Sequence, residues 1–244
     1  MTPVRLPAII ILLLLFSFGV KGQKKDVLVG VLDALVESQT GPADLSADGD
    51  AATDPDRYNK LTDRDFVKVA KELGVEVAAI KAVVLIETGN QMKGFCAPGI
   101  PVVNFDKTMY NRYKSKVKSK GGAKGEKVPS GITGHALREW TQLINARKVN
   151  PQAANMGTFW GMFQIGGFNY KSCGCETIDE FVEQMAESEF RQLELFATFI
   201  KKGGMLQDLK KKNWAGFARK FNGPSYAKRG YHTKMAEAYK KLKK

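Results

Sequence analysis

The run AAIKAVVLIET, residues 78–88, decides how this chain is read. It is apolar apart from Lys81 and its ending, Glu87-Thr88. Ile80, Val83, Val84 and Glu87 stand at i, i+3, i+4 and i+7. That spacing describes one face of an α-helix, so a carboxylate falls on the face that must bury. Burial disfavours the charged form of a carboxyl group, and the negative end of the helix dipole, a turn or less away, disfavours it again. Both raise the pKa, as a general acid working near neutral pH requires. Periodicity alone also admits a second reading, a frayed helix end with Glu87 in water.

Helix signals continue on both sides of this run. Leu61-Thr62-Asp63-Arg64-Asp65-Phe66 reads as a helix start, with Thr62 as cap, Leu61 stapled onto Phe66, and Gly74 as a left-handed stop. The next helix spans about Glu76 to Glu87. Thr177 and Glu180 make a capping box that opens one long helix to about Lys201. Phe181, Val182, Met185, Leu193, Phe196 and Ile200 keep helical spacing along it. Trp214, Phe217, Ala218 and Phe221 predict a further helix stopped by Asn222-Gly223-Pro224, and Met235, Ala236, Tyr239 and Leu242 predict the last. Between Phe105 and Leu137 the period fails, and YNRYKSKVKSKGGAKGEK, 110–127, reads as an irregular basic excursion. The expected fold is mainly α, a single domain with little β structure.

The ends of the chain carry different signals. Arg5, the apolar stretch Ala8–Phe16, and Val20 and Gly22 at the −3 and −1 positions predict a signal peptide over 1–22. The stretch is shorter than the roughly 20 residues of a membrane span, so the reading is export to the periplasm or outside, without an anchor after cleavage. Residues 23–57 read as an acidic flexible linker, because GPADLSADGDAATDPD and its surroundings cannot bury a core. The domain then occupies 58–244. The chain carries +13, and removing Arg5, Lys21 and the linker, which holds five more acids than bases, leaves the domain at +16. So basic a domain expects polyanionic company; for an exported monomer that means cell-wall polymer rather than nucleic acid. Of the three cysteines, Cys173 and Cys175 are too close for an easy mutual bridge, so a disulfide from Cys96 to one of them is expected. His135 and His232 are the only histidines and make no zinc spacing, and no metal or cofactor is implied.

FWGMFQIGGFNY, 159–170, interleaves aromatics, glycines and amides with no clean period. Aromatic faces beside amide hydrogen-bonding groups suit a sugar, whose rings have apolar faces and polar edges. Phe159, Phe163 and Phe168 read equally well as core. Gln164, Asn169 and Tyr170 do not, since polar groups within an aromatic cluster need partners.

Taken in order, LGVEVAAIKAVVLIET, VVNFD, EWTQL, FWGMFQIGGFNY, EFVEQMAESEFRQLELFATFI and FARKFNGPSY resemble the bacterial and phage N-acetylmuramidase family of the lysozyme-like superfamily. The resemblance runs from about Leu61 to the C-terminus. It implies an α-rich lysozyme-like fold that hydrolyses the MurNAc–GlcNAc β-1,4 bond of peptidoglycan, with Glu87 as general acid. It also implies that Trp160, Gln164, Tyr170, Asn222 and Tyr226 hold the glycan. Where the family usually reads Phe-Glu-Arg-His, this chain has Phe105-Asp106-Lys107-Thr108, which makes Asp106 the candidate second carboxylate. Two rivals stand beside the hydrolase: a lytic transglycosylase cutting the same bond, and a wall-binding or toxin-delivery module that kept the fold without catalysis.

Overall fold

A computed structural model of the protein describes residues 60–88, 93–119 and 121–243. The expected signal peptide and linker lie outside the described residues. The elements run α1 (Asp63–Leu73), α2 (Val77–Thr88), β1 (Phe95–Ala97), β2 (Ile100–Pro101), β3 (Val103–Phe105), α3 (Lys107–Lys114), α4 (Gly134–Arg147) and α5 (Pro151–Met156). Then follow β4 (Thr158–Trp160), β5 (Ile165–Gly166), a 3-10 turn (Gly167–Cys173), α6 (Ile178–Met185) and α7 (Glu189–Lys202). The chain closes with α8 (Leu206–Lys210), α9 (Trp214–Asn222), a second 3-10 turn (Pro224–Tyr226) and α10 (Tyr231–Leu242). The fold is mainly α, as the sequence predicts. The elements group into two compact units, one of residues 62–88 and 203–243, the other of 93–202.

In the first unit α1 starts and stops on its sequence signals. The Asp65 carboxylate accepts from Thr62 N at 2.7 Å and Thr62 Oγ1 at 2.8 Å, and Gly74 leaves the helix at φ 61°. α2 forms the centre of this unit. Ala79, Ile80 and every residue from Ala82 to Ile86 are buried, so the helix is enclosed around most of its circumference rather than along one stripe. α1 and α10 pack against it. Glu76, just ahead of α2, accepts from Tyr239 Oη at 2.6 Å and pairs with Lys212, which ties the start of α2 to α10. α9 buries Phe217 and Ala218, and its Trp214 tilts against Tyr239 at 5.5 Å.

The second unit is built around a small antiparallel sheet in the order β3-β4-β5, with Asn104 opposite Phe159 and Trp160 opposite Ile165. Trp140 of α4 meets Trp160 edge-on at 6.2 Å, and the Arg147 guanidinium lies over both rings. Phe163 stacks on Phe196 of α7 at 4.1 Å.

Three expectations are corrected here. The single helix predicted from Thr177 to Lys201 is two. Thr177 caps α6 as expected, its hydroxyl accepting from Glu180 N at 3.0 Å, but the helix stops at Met185: there Gln192 Nε2 donates to Met185 O at 2.8 Å, and Ser188 Oγ accepts from Arg191 N at 2.9 Å to start α7. The stretch after Phe105 is not wholly irregular, because Asp106 caps α3, whose one buried residue, Tyr110, is too little for periodicity to reveal. The disulfide is absent: Cys96, Cys173 and Cys175 are all free. Cys96 Sγ donates to Ile100 O at 3.2 Å within the β1–β2 hairpin. Burial pushes the Cys173 thiol up and takes Cys175 to about 11, so neither is a ready thiolate.

The remainder of the basic excursion is strapped to the body of its unit. Asn150 Nδ2 donates to Val117 O at 2.8 Å, Ser119 Oγ to Val149 O at 3.2 Å, and Ala123 N to Arg147 O at 3.2 Å. Glu126 pairs with the half-buried Arg147. Lys114, Lys116, Lys118, Lys124 and Lys127 are left exposed.

Candidate active site

Glu87 closes α2, one residue before the helix ends. Its residue surface is only partly covered, but the carboxyl group itself is surrounded by protein. Asn222, the last residue of α9, donates from Nδ2 to Oε1 at 3.1 Å and to Oε2 at 3.0 Å. Burial raises the pKa of this carboxyl to about 8; the Asn222 amide acts in the opposite direction and is outweighed. At neutral pH Glu87 therefore keeps its proton. Asn222 Oδ1 is buried and has no protein partner among the described residues. The buried phenol of Tyr231, at the start of α10, is raised in turn by its own burial and by the nearby Glu87 charge. Tyr226, in the 3-10 turn after α9, is half-buried and meets His232 edge-on at 5.3 Å.

The other sequence-predicted residues belong to the second unit. Gln164 lies in the turn between β4 and β5 at φ 48°, a left-handed conformation uncommon for a residue with a side chain. Its Nε2 donates to Gly161 O at 2.7 Å and its Oε1 accepts from Asn104 Nδ2. Asn104 Oδ1 lies 2.8 Å from His135 Nε2. His135 Nδ1 lies 3.7 Å from Glu139 Oε1, and Glu139 Oε2 accepts from Phe105 N at 2.8 Å. Tyr170, in the first 3-10 turn, is half-buried with Lys171 Nζ 5.9 Å from its ring centre. Asp106 is half-buried, and its Oδ1 accepts from Thr108 N at 2.8 Å and Met109 N at 3.0 Å.

Trp160 departs from expectation. It is 0% exposed, and its Nε1 donates to Asn155 O at 3.0 Å. With no open face it is a core residue, and it is withdrawn as a sugar contact.

Four polar residues that shape this region escaped the sequence reading: Asn104, His135, Glu139 and Gln192. Gln192 is 0% exposed, accepts from Met162 N at 2.9 Å and donates to Gly94 O and Met185 O. It holds the β4–β5 turn from beneath, so closely that a Cβ on Gly161 would sit 2.6 Å from its Oε1. Their partners lie tens of residues away in sequence, where no local period can register them. Among the described residues no three His, Cys, Asp or Glu side chains group to hold a metal ion.

The N-acetylmuramidase family profile matches residues 76–243, a span that takes in Glu87, the β4–β5 turn and Asn222. The chain belongs to the N-acetylmuramidase family. Membership places it among the peptidoglycan-degrading glycosidases. A solved structure it resembles is that of the Burkholderia AP3 phage endolysin, at 28% identity and a TM-score of 0.64, over 89% of this chain and 94% of that one. The lysozyme-like fold implied by the sequence is thereby borne out. A comparison with curated proteins gave no match. Among the described residues no helix is long and apolar enough to cross a membrane.

Proposed function

We propose that this muramidase hydrolyses the MurNAc–GlcNAc β-1,4 bond of peptidoglycan, with Glu87 as the general acid. One observation carries the reading: a buried carboxyl, raised to about 8, sits at the end of α2 and remains protonated at neutral pH. Glycoside cleavage requires such a proton on the leaving oxygen as the C–O bond breaks. The Asn222 amide reaches both carboxyl oxygens and so restrains the carboxyl group. Gln164, Tyr170, Asn222 and Tyr226 are the glycan-holding residues of this proposal. Asp106 is its second carboxylate, as base for the attacking water or as stabiliser of the oxocarbenium charge. Its capping bonds use Oδ1 and leave Oδ2 for that role. Export of the chain and its action as a monomer on wall glycan complete the proposal.

The experiment is mass spectrometry of the fragments released from purified sacculi. Reducing-end MurNAc is the expected product. Reducing-end GlcNAc would identify a glucosaminidase, anhydro-MurNAc a transglycosylase, and no release a binding module. The Glu87→Gln protein should fold like the parent and lose at least about a hundredfold in rate, because the amide keeps the shape but has no proton to transfer. Near-parental release by that variant would move the acid elsewhere.

A further inference from the structure

We propose that Asn104 and His135, backed by Glu139, are positioning residues that act through Gln164 to present one fixed edge of its amide to the glycan; the inference rests on the peptidoglycan reading above. The argument begins at a backbone carbonyl. Gly161 O can only accept, so the Gln164 atom 2.7 Å from it is the NH2 group. That assignment turns Gln164 Oε1 toward Asn104, which must then offer its own NH2. Asn104 Oδ1 is therefore the atom facing His135, and His135 Nε2 carries the proton between them at 2.8 Å. One orientation passes along three side chains, and each step excludes the flipped alternative.

Glu139 stands beside the far end of the chain. Glu139 lies one helical turn after His135 on α4, with its Oε1 3.7 Å from Nδ1. Its other oxygen takes the N–H of Phe105, the residue that follows Asn104 on β3. α4, β3 and the β4–β5 turn are thus joined by side chains that converge on Gln164. Gln164 is itself held at φ 48°, with its backbone N–H on Gly161 O at 3.2 Å. A residue kept in a sparsely populated conformation, with its side chain oriented through three others, has been placed for a purpose. After these bonds Gln164 retains one amide hydrogen and one carbonyl lone pair on a half-buried side chain. That is a donor and an acceptor of the kind an acetamido sugar can meet.

The test uses the Glu87→Gln protein, so that binding is read without cleavage, and a soluble peptidoglycan tetrasaccharide as probe. Asn104→Leu and His135→Ala should each weaken binding roughly tenfold, the effect of one misdirected hydrogen bond. His135→Gln should restore most of the loss, since its amide N–H can reach Asn104 Oδ1. In a Gln164→Leu background neither change should matter further, because residues acting through one another are not additive. Unchanged binding in Asn104→Leu, losses that simply add to that of Gln164→Leu, or no binding by any variant would overturn the proposal. Product analysis of the parent keeps the two readings apart. Non-additive binding without cleavage sinks the hydrolase and leaves the positioning chain, whereas cleavage with additive losses does the reverse.

Discussion

At the scale of single residues, Glu87 and Asn222 oppose each other in a way that fixes the sign of the pH response. Burial favours the neutral acid; two N–H contacts from Asn222 favour the carboxylate, and burial is the larger effect. The protonated form is the one that donates, so activity should hold through neutrality and fall as pH rises past about 8. Removing the donor with Asn222→Leu withdraws support from the ionised form alone. The alkaline limb of kcat should then move to higher pH, whatever happens to the rate. A limb displaced to lower pH would show that Asn222 does not act on Glu87 in this sense. Asp106→Asn separates two tasks, because asparagine caps a helix about as well as aspartate. If Asp106 is the second carboxylate, the variant should lose rate while the fold and the alkaline limb remain. A parental rate would leave Asp106 as a cap only.

Elements were legible in the sequence where their cause is local. α1 begins at Thr62 and ends at Gly74, and α9 stops at Asn222-Gly223, because caps and left-handed glycines act on their own neighbours. α2 was legible as a helix, but its period left Glu87 either buried or in water, and only the enclosure of the carboxyl group by the folded chain decides between them. The break between α6 and α7 was not, since Phe181, Met185, Leu193 and Phe196 keep helical spacing across it. The cause there is Gln192, which turns from its own helix to cap the preceding one. It also holds the β4–β5 turn and Gly94, contacts made only once the chain has folded. Trp160 was misread for a related reason: an aromatic in a sugar-binding pattern and an aromatic in a core look alike until burial is known. Gln192→Leu should leave Met162 N and Met185 O buried without their partner, while Gly94 O keeps the N–H of Val102. At roughly 1 kcal/mol or more for each orphaned group, the loss should be about 2 kcal/mol. A melting-point fall of roughly 6 °C is expected for a domain of this size. A fall within 2 °C or so would mean that the turn is held mainly by Asn104 and Gln164.

At the scale of the whole molecule, charge is the property that the site itself does not use. The chain carries +13, and from 107 to 127 the only acid is Glu126, which is taken up by Arg147. Lys114, Lys116, Lys118, Lys124 and Lys127 therefore face solvent on a segment fixed through Val117, Ser119 and Ala123. A tethered row of like charges keeps its spacing, so its attraction for an anionic wall adds up over several sites. Each such attraction is between exposed groups and is screened, over about 10 Å at 0.1 M salt and about 3 Å at 1 M. Binding of the protein to whole sacculi should accordingly weaken as salt is raised. The triple change Lys116→Gln, Lys118→Gln and Lys124→Gln should lower affinity at low salt and flatten the salt dependence. It should leave cleavage of a short soluble oligosaccharide at the parental rate, because none of the three lysines contributes to the Glu87 or Gln164 groups. Sedimentation with sacculi across a salt series reads both quantities. A triple variant with the parental slope would mean that the segment plays no part in wall attachment, and the attraction would have to come from the charge on the rest of the domain.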